Sequence, residues 1–309
     1  MAILCRKCKL ENENGRLYCQ RCSSRLRHAT SHDLTADDFV TDGDRQAFEA
    51  LKTLGPLLHL VYWTFVEPRL RGFAAKLSKK SRVNQEVVTL AAECAEVLAL
   101  DVLPVICVVN IGQPNAFTTG TDSSATITID ASLVEHLSHS QLRALLGHEM
   151  GHIKSRHLMY HSVTEFLEHG IALSASMIGA GLISVPMRLL LLAWHRESEF
   201  SADRTSLIAA GDFSSVTTMF AQIVSKPLRQ AGANTPLGSF VEAFQSHPSY
   251  LKRLTSLEEF KNSARYSEIR TRLERRKTLE AAFAETCRFC GAPKGVEEIF
   301  CPVCKLSLA

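Results

Sequence analysis

No low-complexity tract interrupts this chain of 309 residues, neither sign of charge dominates it, and nothing at its start resembles a signal peptide. A net charge of +3 selects no class of partner. A nucleic-acid surface would want a basic stripe with stacking aromatics. The first thirty residues hold Arg6, Lys7, Lys9, Arg16, Arg21, Arg25 and Arg27 but only Tyr18 as an aromatic, which argues against nucleic acid. Met1 to Leu4 runs straight into Cys5, with no charged and then apolar leader. The expectation is a reducing, cytoplasmic setting, where thiols hold metal rather than form disulfides. With 46% hydrophobic residues the chain supports one sizeable core plus small modules.

The cysteines define the modules. Cys5-x2-Cys8 is followed after ten residues by Cys19-x2-Cys22, and Cys287-x2-Cys290 after ten residues by Cys301-x2-Cys304. Four thiolates hold one tetrahedral zinc, and two residues between ligands let each knuckle turn, so the spacing predicts a zinc ribbon at each end. Neither ribbon is long enough to bury a useful core, so its ion would supply the folding free energy. A protein contact, with a partner or between the two ribbons, is their expected use. Cys94 and Cys107 lie in apolar surroundings and are expected as buried small side chains.

Between them, His148-Glu149-Met150-Gly151-His152 sets two histidines one helical turn apart, so both imidazoles leave the same face. Glu149 follows the first histidine, placed to take a proton from a metal-activated water without ligating. By itself the pattern also fits a solvated helix face. Its surroundings favour the metal: Ser138 or Ser140 can cap the helix, and Leu145, Leu146, Met150 and Ile153 are expected to be buried beside the histidine face. A third ligand is needed. Glu199 and Asp203, four apart on another expected helix, are candidates, but with Glu197 and Arg204 they also read as solvated ion pairs, and spacing alone favours that reading.

Four segments in this order resemble the HtpX-like and CaaX-prenyl-protease-like gluzincins, zinc metallopeptidases with HExxH and a later ExxxD. Pro114 to Gly120 looks like the family's substrate-edge strand, Leu146 to Ile153 carries HExxH, and Glu199 to Arg204 carries ExxxD. Ser246-His247-Pro248-Ser249 with Arg253 and Leu254 looks like its His-Pro motif and trailing arginine. The resemblance spans roughly residues 85 to 257. It implies His148, His152 and Glu199 as zinc ligands, Glu149 as general base and acid, Asp203 with Arg253 as supports of the ligands, and His247 as a donor to the oxyanion. It also implies that Asn115, Ala116 and Phe117 pair with an extended polypeptide substrate. The implied activity is endoproteolysis in protein quality control. The alternative is a catalytically silent peptidase scaffold serving as a zinc-ribbon interaction module. Processing of lipidated C-termini is a weaker variant, because the chain lacks the many membrane spans such relatives use.

The expected fold is α+β, mainly helical: a gluzincin-type domain with a small sheet (31–280) between ribbons at 1–30 and 281–309, holding one catalytic and two structural zinc ions. Asp44 to Val66 and Val83 to Leu100 read as helical, Val105 to Asn110 and Ala125 to Asp130 as strands. Ser23 to His32 reads as a polar linker and Arg265 to Phe283 as a charged, solvated helical spacer. Ile171 to Trp194 is long enough to span a bilayer, with Arg188 its single charge. Topology argues against a span: Glu199 must return to His148 and His152, and the outgoing leg from Lys154 to His169 is too polar to cross hydrocarbon. The segment is expected as a buried helix pair whose surface can touch a membrane.

Overall fold

The structure, a computed structural model, describes residues 3–13, 15–27, 29–82, 84–112, 114–169, 185–228 and 250–285, with Phe300, Val303 and Lys305. It is mainly helical. After a short hairpin, β1 (Ile3–Leu4) with β2 (Glu11–Asn12), come helices α1 (Asp42–Lys52), α2 (Gly55–Val61) and α3 (Glu67–Lys80). A π-helical turn, Tyr62–Val66, joins α2 to α3, so the helical pattern expected over Asp44 to Val66 is divided into three pieces. α4 (Gln85–Val97) starts where Asn84 Oδ1 accepts from the Glu86 and Val87 amides.

The sheet has the order β3-β5-β4. β3 (Val105–Val109) runs parallel to β5 (Ser124–Asp130), and β4 (Ala116–Thr121) pairs antiparallel with β5 on its other side, so β3 and β4 are the two edge strands. The hairpin turns at Asp122 and Ser123, and within β4 Gly120 has a φ of +110°, which favours glycine, and its added Cβ would strike the Ser124 carbonyl. α5 (Ala131–His136) leads into α6 (His139–Lys154), then α7 (Leu158–His169), α8 (Val185–Ala210), α9 (Phe213–Leu228), α10 (Tyr250–Lys261) and α11 (Ala264–Glu285).

α6 is the central element. Ser138 caps it through a reciprocal box: its Oγ accepts from the Gln141 amide while Gln141 Oε1 accepts from the Ser138 amide. Leu142, Leu145, Leu146, Met150 and Ile153 are buried with Leu98, Ile127 and Ile129 in the main core, against α4, the sheet and α8. A second cluster, with Leu51, Tyr62, Val66, Val163, Leu191 and Trp194, binds α1 and the π turn to α7 and α8. Cys94 and Cys107 are buried, as expected of small apolar side chains.

Two segments differ from their sequence reading. Ser23 to His32 is not a free polar linker. Ser24 bridges to Val102, the Arg25 amide donates to the Asp101 carbonyl, and the Tyr18 hydroxyl donates to the Leu100 carbonyl. The Arg25 side chain, 7% exposed, donates to both oxygens of Glu96 (2.6 and 3.0 Å) and of Asp33 (2.5 and 3.2 Å). Nor is Arg265 to Phe283 a solvated spacer. Arg276 Nη2 donates to the Glu96 carbonyl at 2.9 Å, Arg272 donates to the Asp33 carbonyl and pairs with Asp38, and Ile269 and Leu273 are buried. Local composition hid both contacts because the Arg25–Glu96, Arg272–Asp33 and Arg276–Glu96 partners lie 71 or more residues apart.

No helix among the described residues is long and apolar enough to cross a membrane. Residues 171–184 of the Ile171 to Trp194 segment lie outside the described residues. So do His247 and Cys287, Cys290, Cys301 and Cys304.

Candidate metal centre

α6 and α8 meet closely enough to touch backbone to backbone. A Cβ on Gly147 would stand 2.9 Å from the Thr205 carbonyl oxygen, and one on Gly151 would fall on Thr205 Oγ1 and the Ala202 Cα. The two glycines flank His148 and leave His152 on the same stripe, so this approach brings the histidines of α6 to the carboxylates of α8. His148 Nε2 lies 3.6 Å from Glu199 Oε2, and His152 Nε2 lies 3.4 Å from Glu199 Oε1. Donors about 2.0–2.2 Å from a tetrahedral zinc stand roughly 3.3–3.6 Å from one another. These spacings suit one ion, and the ligating atoms of all three residues lie within 4.8 Å of one another. All three side chains are buried, as a site of low dielectric requires.

Asp203, one turn after Glu199, lies with Oδ1 3.1 Å from His148 Nδ1. A carboxylate there fixes which imidazole nitrogen keeps its proton and leaves Nε2 to face the ion. Arg253 of α10 donates through Nε to Asp203 Oδ2 at 2.8 Å, its Nη1 lies 3.2 Å from Glu199 Oε2, and it stacks over Phe220 with its guanidinium carbon 4.5 Å from the ring centroid. Burial would raise the Asp203 carboxyl, but Arg253, through charge and hydrogen bonds, and His148 outweigh it and hold it below the ordinary range. Burial would likewise lower His152, yet its bond to Glu199 and the charges of Glu199, Glu149 and Asp44 carry it upward.

Glu149 Oε2 accepts a 2.6 Å hydrogen bond from Thr118 Oγ1 on β4. Thr118 is a site residue that the sequence reading did not single out; its alternation with Phe117 on a strand packed beside α6 was the available sign. Phe117 points to the other face and stacks on Phe73 at 6.1 Å. Ala116 and Phe117 lie on β4, an edge strand, and the Asn115 carbonyl just before it accepts from the Asp130 amide at 2.9 Å. The structure therefore brings His148, Glu149, His152, Glu199, Asp203 and Arg253 into one site bordered by β4.

Near the N-terminus, Cys5, Cys8, Cys19 and Cys22 converge, with Cys5 Sγ 3.5 Å from Cys22 Sγ and Cys8 Sγ 3.5 Å from Cys19 Sγ. None of these forms a disulfide. Burial opposes ionisation of Cys19, but the backbone amides of Cys22 and Arg21 bring it down to about 6, while at Cys8, against the Leu10 amide, burial and the neighbouring cysteines push the thiol up to about 12.

Comparison with known proteins bears on the site. Residues 79–261 match the family described as Peptidase family M48. The chain is 27% identical over 276 residues to a plastoglobule-localized metallopeptidase 48 of Arabidopsis thaliana, covering 80% of this chain and 79% of the plant protein. It is 29% identical over 194 residues to a protease HtpX homologue of Moorella thermoacetica, covering 50% of this chain and 65% of that one. The crystal structure of S. mikatae Ste24p aligns over 73% of this chain and 67% of its own, at 18% identity and a TM-score of 0.37.

Proposed function

The chain belongs to peptidase family M48 and is a metallopeptidase, and from that premise we propose that it is a zinc-dependent endopeptidase acting on unfolded polypeptides in protein quality control. The observation that carries this reading is the convergence of His148, His152 and Glu199 donor atoms, with the Glu149 carboxylate next in sequence to His148 and outside that donor set. Zinc bound there would lower the pKa of a water toward neutrality and polarise the scissile carbonyl.

The chain's own groups do the rest. Thr118 holds Glu149 Oε2, so Oε1 takes the proton from the attacking water and returns it to the leaving amine. Asp203 orients His148, and Arg253 anchors Asp203 and Glu199 together. β4, an edge strand, offers the segment Asn115 to Phe117 for main-chain pairing with an extended substrate. By the family resemblance, His247 donates to the developing oxyanion. Each four-cysteine set holds a structural zinc, making three ions per chain, and each ribbon serves as a protein contact. The free thiols of the described set suit a reducing compartment such as the cytoplasm. A membrane surface remains a contact for the segment Ile171 to Trp194 in this reading.

The deciding experiment is cleavage of an unfolded model protein by zinc-loaded enzyme and by Glu149→Gln prepared identically. Cleavage lost in the variant at equal zinc content supports the reading. Equal cleavage by both refutes Glu149 as the base, and no cleavage by either leaves a narrow or latent protease and the silent scaffold both standing.

A further inference from the structure

Beside the proposed centre the chain buries a second group of imidazoles that peptide hydrolysis does not use. His157 and His161 stand one turn apart at the start of α7, and His195 stands one turn before Glu199 on α8; all three are buried. The His161 ring lies 4.2 Å from the His152 ring and 4.2 Å from the His195 ring, centroid to centroid. The ligating atoms of His161, His195 and Glu199 all lie within 4.8 Å of one another, and so do those of His152, His157 and His161.

Two features distinguish this group from histidines packed in a core. The first is support from behind. Ser198 Oγ donates to the His195 carbonyl at 2.8 Å, so it accepts from His161 Nε2–H, also at 2.8 Å, and Nδ1 of His161 is left as the lone-pair nitrogen. His157 Nε2 lies 3.4 Å from Asp44 Oδ2, and Asp44 is itself fixed by Trp194 Nε1 at 3.0 Å and Ser201 Oγ at 2.6 Å. Hydroxyl- and carboxylate-backed imidazoles are the arrangement that presents the remaining nitrogen to a metal. The second is unmet demand. The Nδ1 atoms of His152 and His157 are buried with no hydrogen-bond partner among the described residues, where nearly all such atoms in folded proteins find one.

We propose that a second divalent transition-metal ion binds next to the first, held by His161, His195 and Glu199, with the Glu199 carboxylate shared between the two ions. Two imidazoles and a carboxylate suit zinc or cobalt(II); calcium and magnesium take oxygen donors. His157, anchored on Asp44, stands as the neighbouring imidazole. The proposal rests on the peptidase reading in one respect, the use of Glu199 by both ions, and the two can fail separately.

The test is zinc content of the full chain after saturation and gel filtration, for wild type, His161→Ala, His195→Ala and His148→Ala, with anomalous diffraction at the zinc edge on wild type. The ribbon ions are common to all four proteins and cancel. The expected result is one zinc fewer in His161→Ala and in His195→Ala than in wild type, and two anomalous peaks next to Glu199. His161→Gln, which keeps a donor toward Ser198, should show the same loss with unchanged far-ultraviolet circular dichroism. A single peak beside Glu199 in wild type overturns the proposal whatever the variants do, as does equal zinc in wild type and folded His161→Gln. If His148→Ala alone lost no zinc, the primary centre would be the reading at fault.

Discussion

Replacing Asp203 by Asn should weaken zinc at His148, His152 and Glu199 without emptying the fold of its core contacts. Asn keeps the size of Asp and can still set an oxygen opposite His148 Nδ1, which lies 3.1 Å from Asp203 Oδ1, but it cannot carry charge. Two effects then act in the same direction. His148 loses the anion that makes its Nε2 a better donor, and supports of this kind are worth about 10- to 100-fold in metal affinity, or about 1.4–2.7 kcal/mol. Arg253 loses its bidentate partner and retains Glu199, whose Oε2 is already 3.2 Å from Nη1, so the guanidinium competes more strongly for the ligand carboxylate. The assay is zinc competition against a chromophoric chelator, comparing wild type, Asp203→Asn and Asp203→Asn/Arg253→Met. Affinity should fall in the single variant and recover in part in the double one, where nothing competes for Glu199. Unchanged affinity in Asp203→Asn would refute the orienting role. An additive further loss in the double variant would refute the competition.

Other perturbations follow from the same contacts. Arg25→Ala leaves Glu96 with Arg27 at 3.9 Å as its ion-pair partner, and Asp33 with Arg276 at 3.4 Å and the Thr30 amide and hydroxyl at 3.2 Å. Removing one partner from such a buried network costs about 3–5 kcal/mol, and a denaturant midpoint shift worth under ~1 kcal/mol would show that the network is not coupled to the fold. Burial would raise the Asp33 carboxyl, but the Arg25 hydrogen bonds and charge hold it below its ordinary 3.8, so its contribution is complete above that value and drains as pH falls through the folded-state pKa. Acid unfolding of Asp33→Asn should therefore show a shallower pH dependence below about 4, measured by circular dichroism, and an unchanged slope would contradict the assignment. Gly151→Ala should push α6 off Ala202 and Thr205 at a cost of about 1–3 kcal/mol and reduce zinc retention; full zinc and full stability would mean that the helices can part freely.

The HExxH helix was legible because its information is local: the Ser138 box, the leucine face and the histidine spacing all sit within sixteen residues. The three strands were legible too, two from their β-branched runs and the third through family resemblance. Glu199 was not legible from spacing, since Glu197 is two residues away and equally acidic. What selects Glu199 is the face of α8 that Ala202, Thr205 and Ser206 turn toward Gly147 and Gly151, a property of two helices together. The Arg25 network escaped for a similar reason: its members are scattered from Arg25 to Arg276, and each looks solvated among its own neighbours. His157, His161 and His195 did leave a trace in the sequence, as two pairs at helical spacing (157 with 161, 195 with 199), but that trace has meaning only once α7 and α8 are adjacent.

The tie between the N-terminal cysteine module and α4 has a consequence for how the chain comes apart. Tyr18, Arg25 and Ser24 reach Leu100, Glu96 and Val102, at or just past the end of the helix that packs on α6. A module so fastened does not melt alone. Any free energy that four thiolates gain from an ion is lent to the helical body, and stripping that ion should lower the unfolding temperature of a region containing none of the cysteines. The cysteine module and the peptide-cleaving site would then unfold as one cooperative unit, although their ligands share no atom.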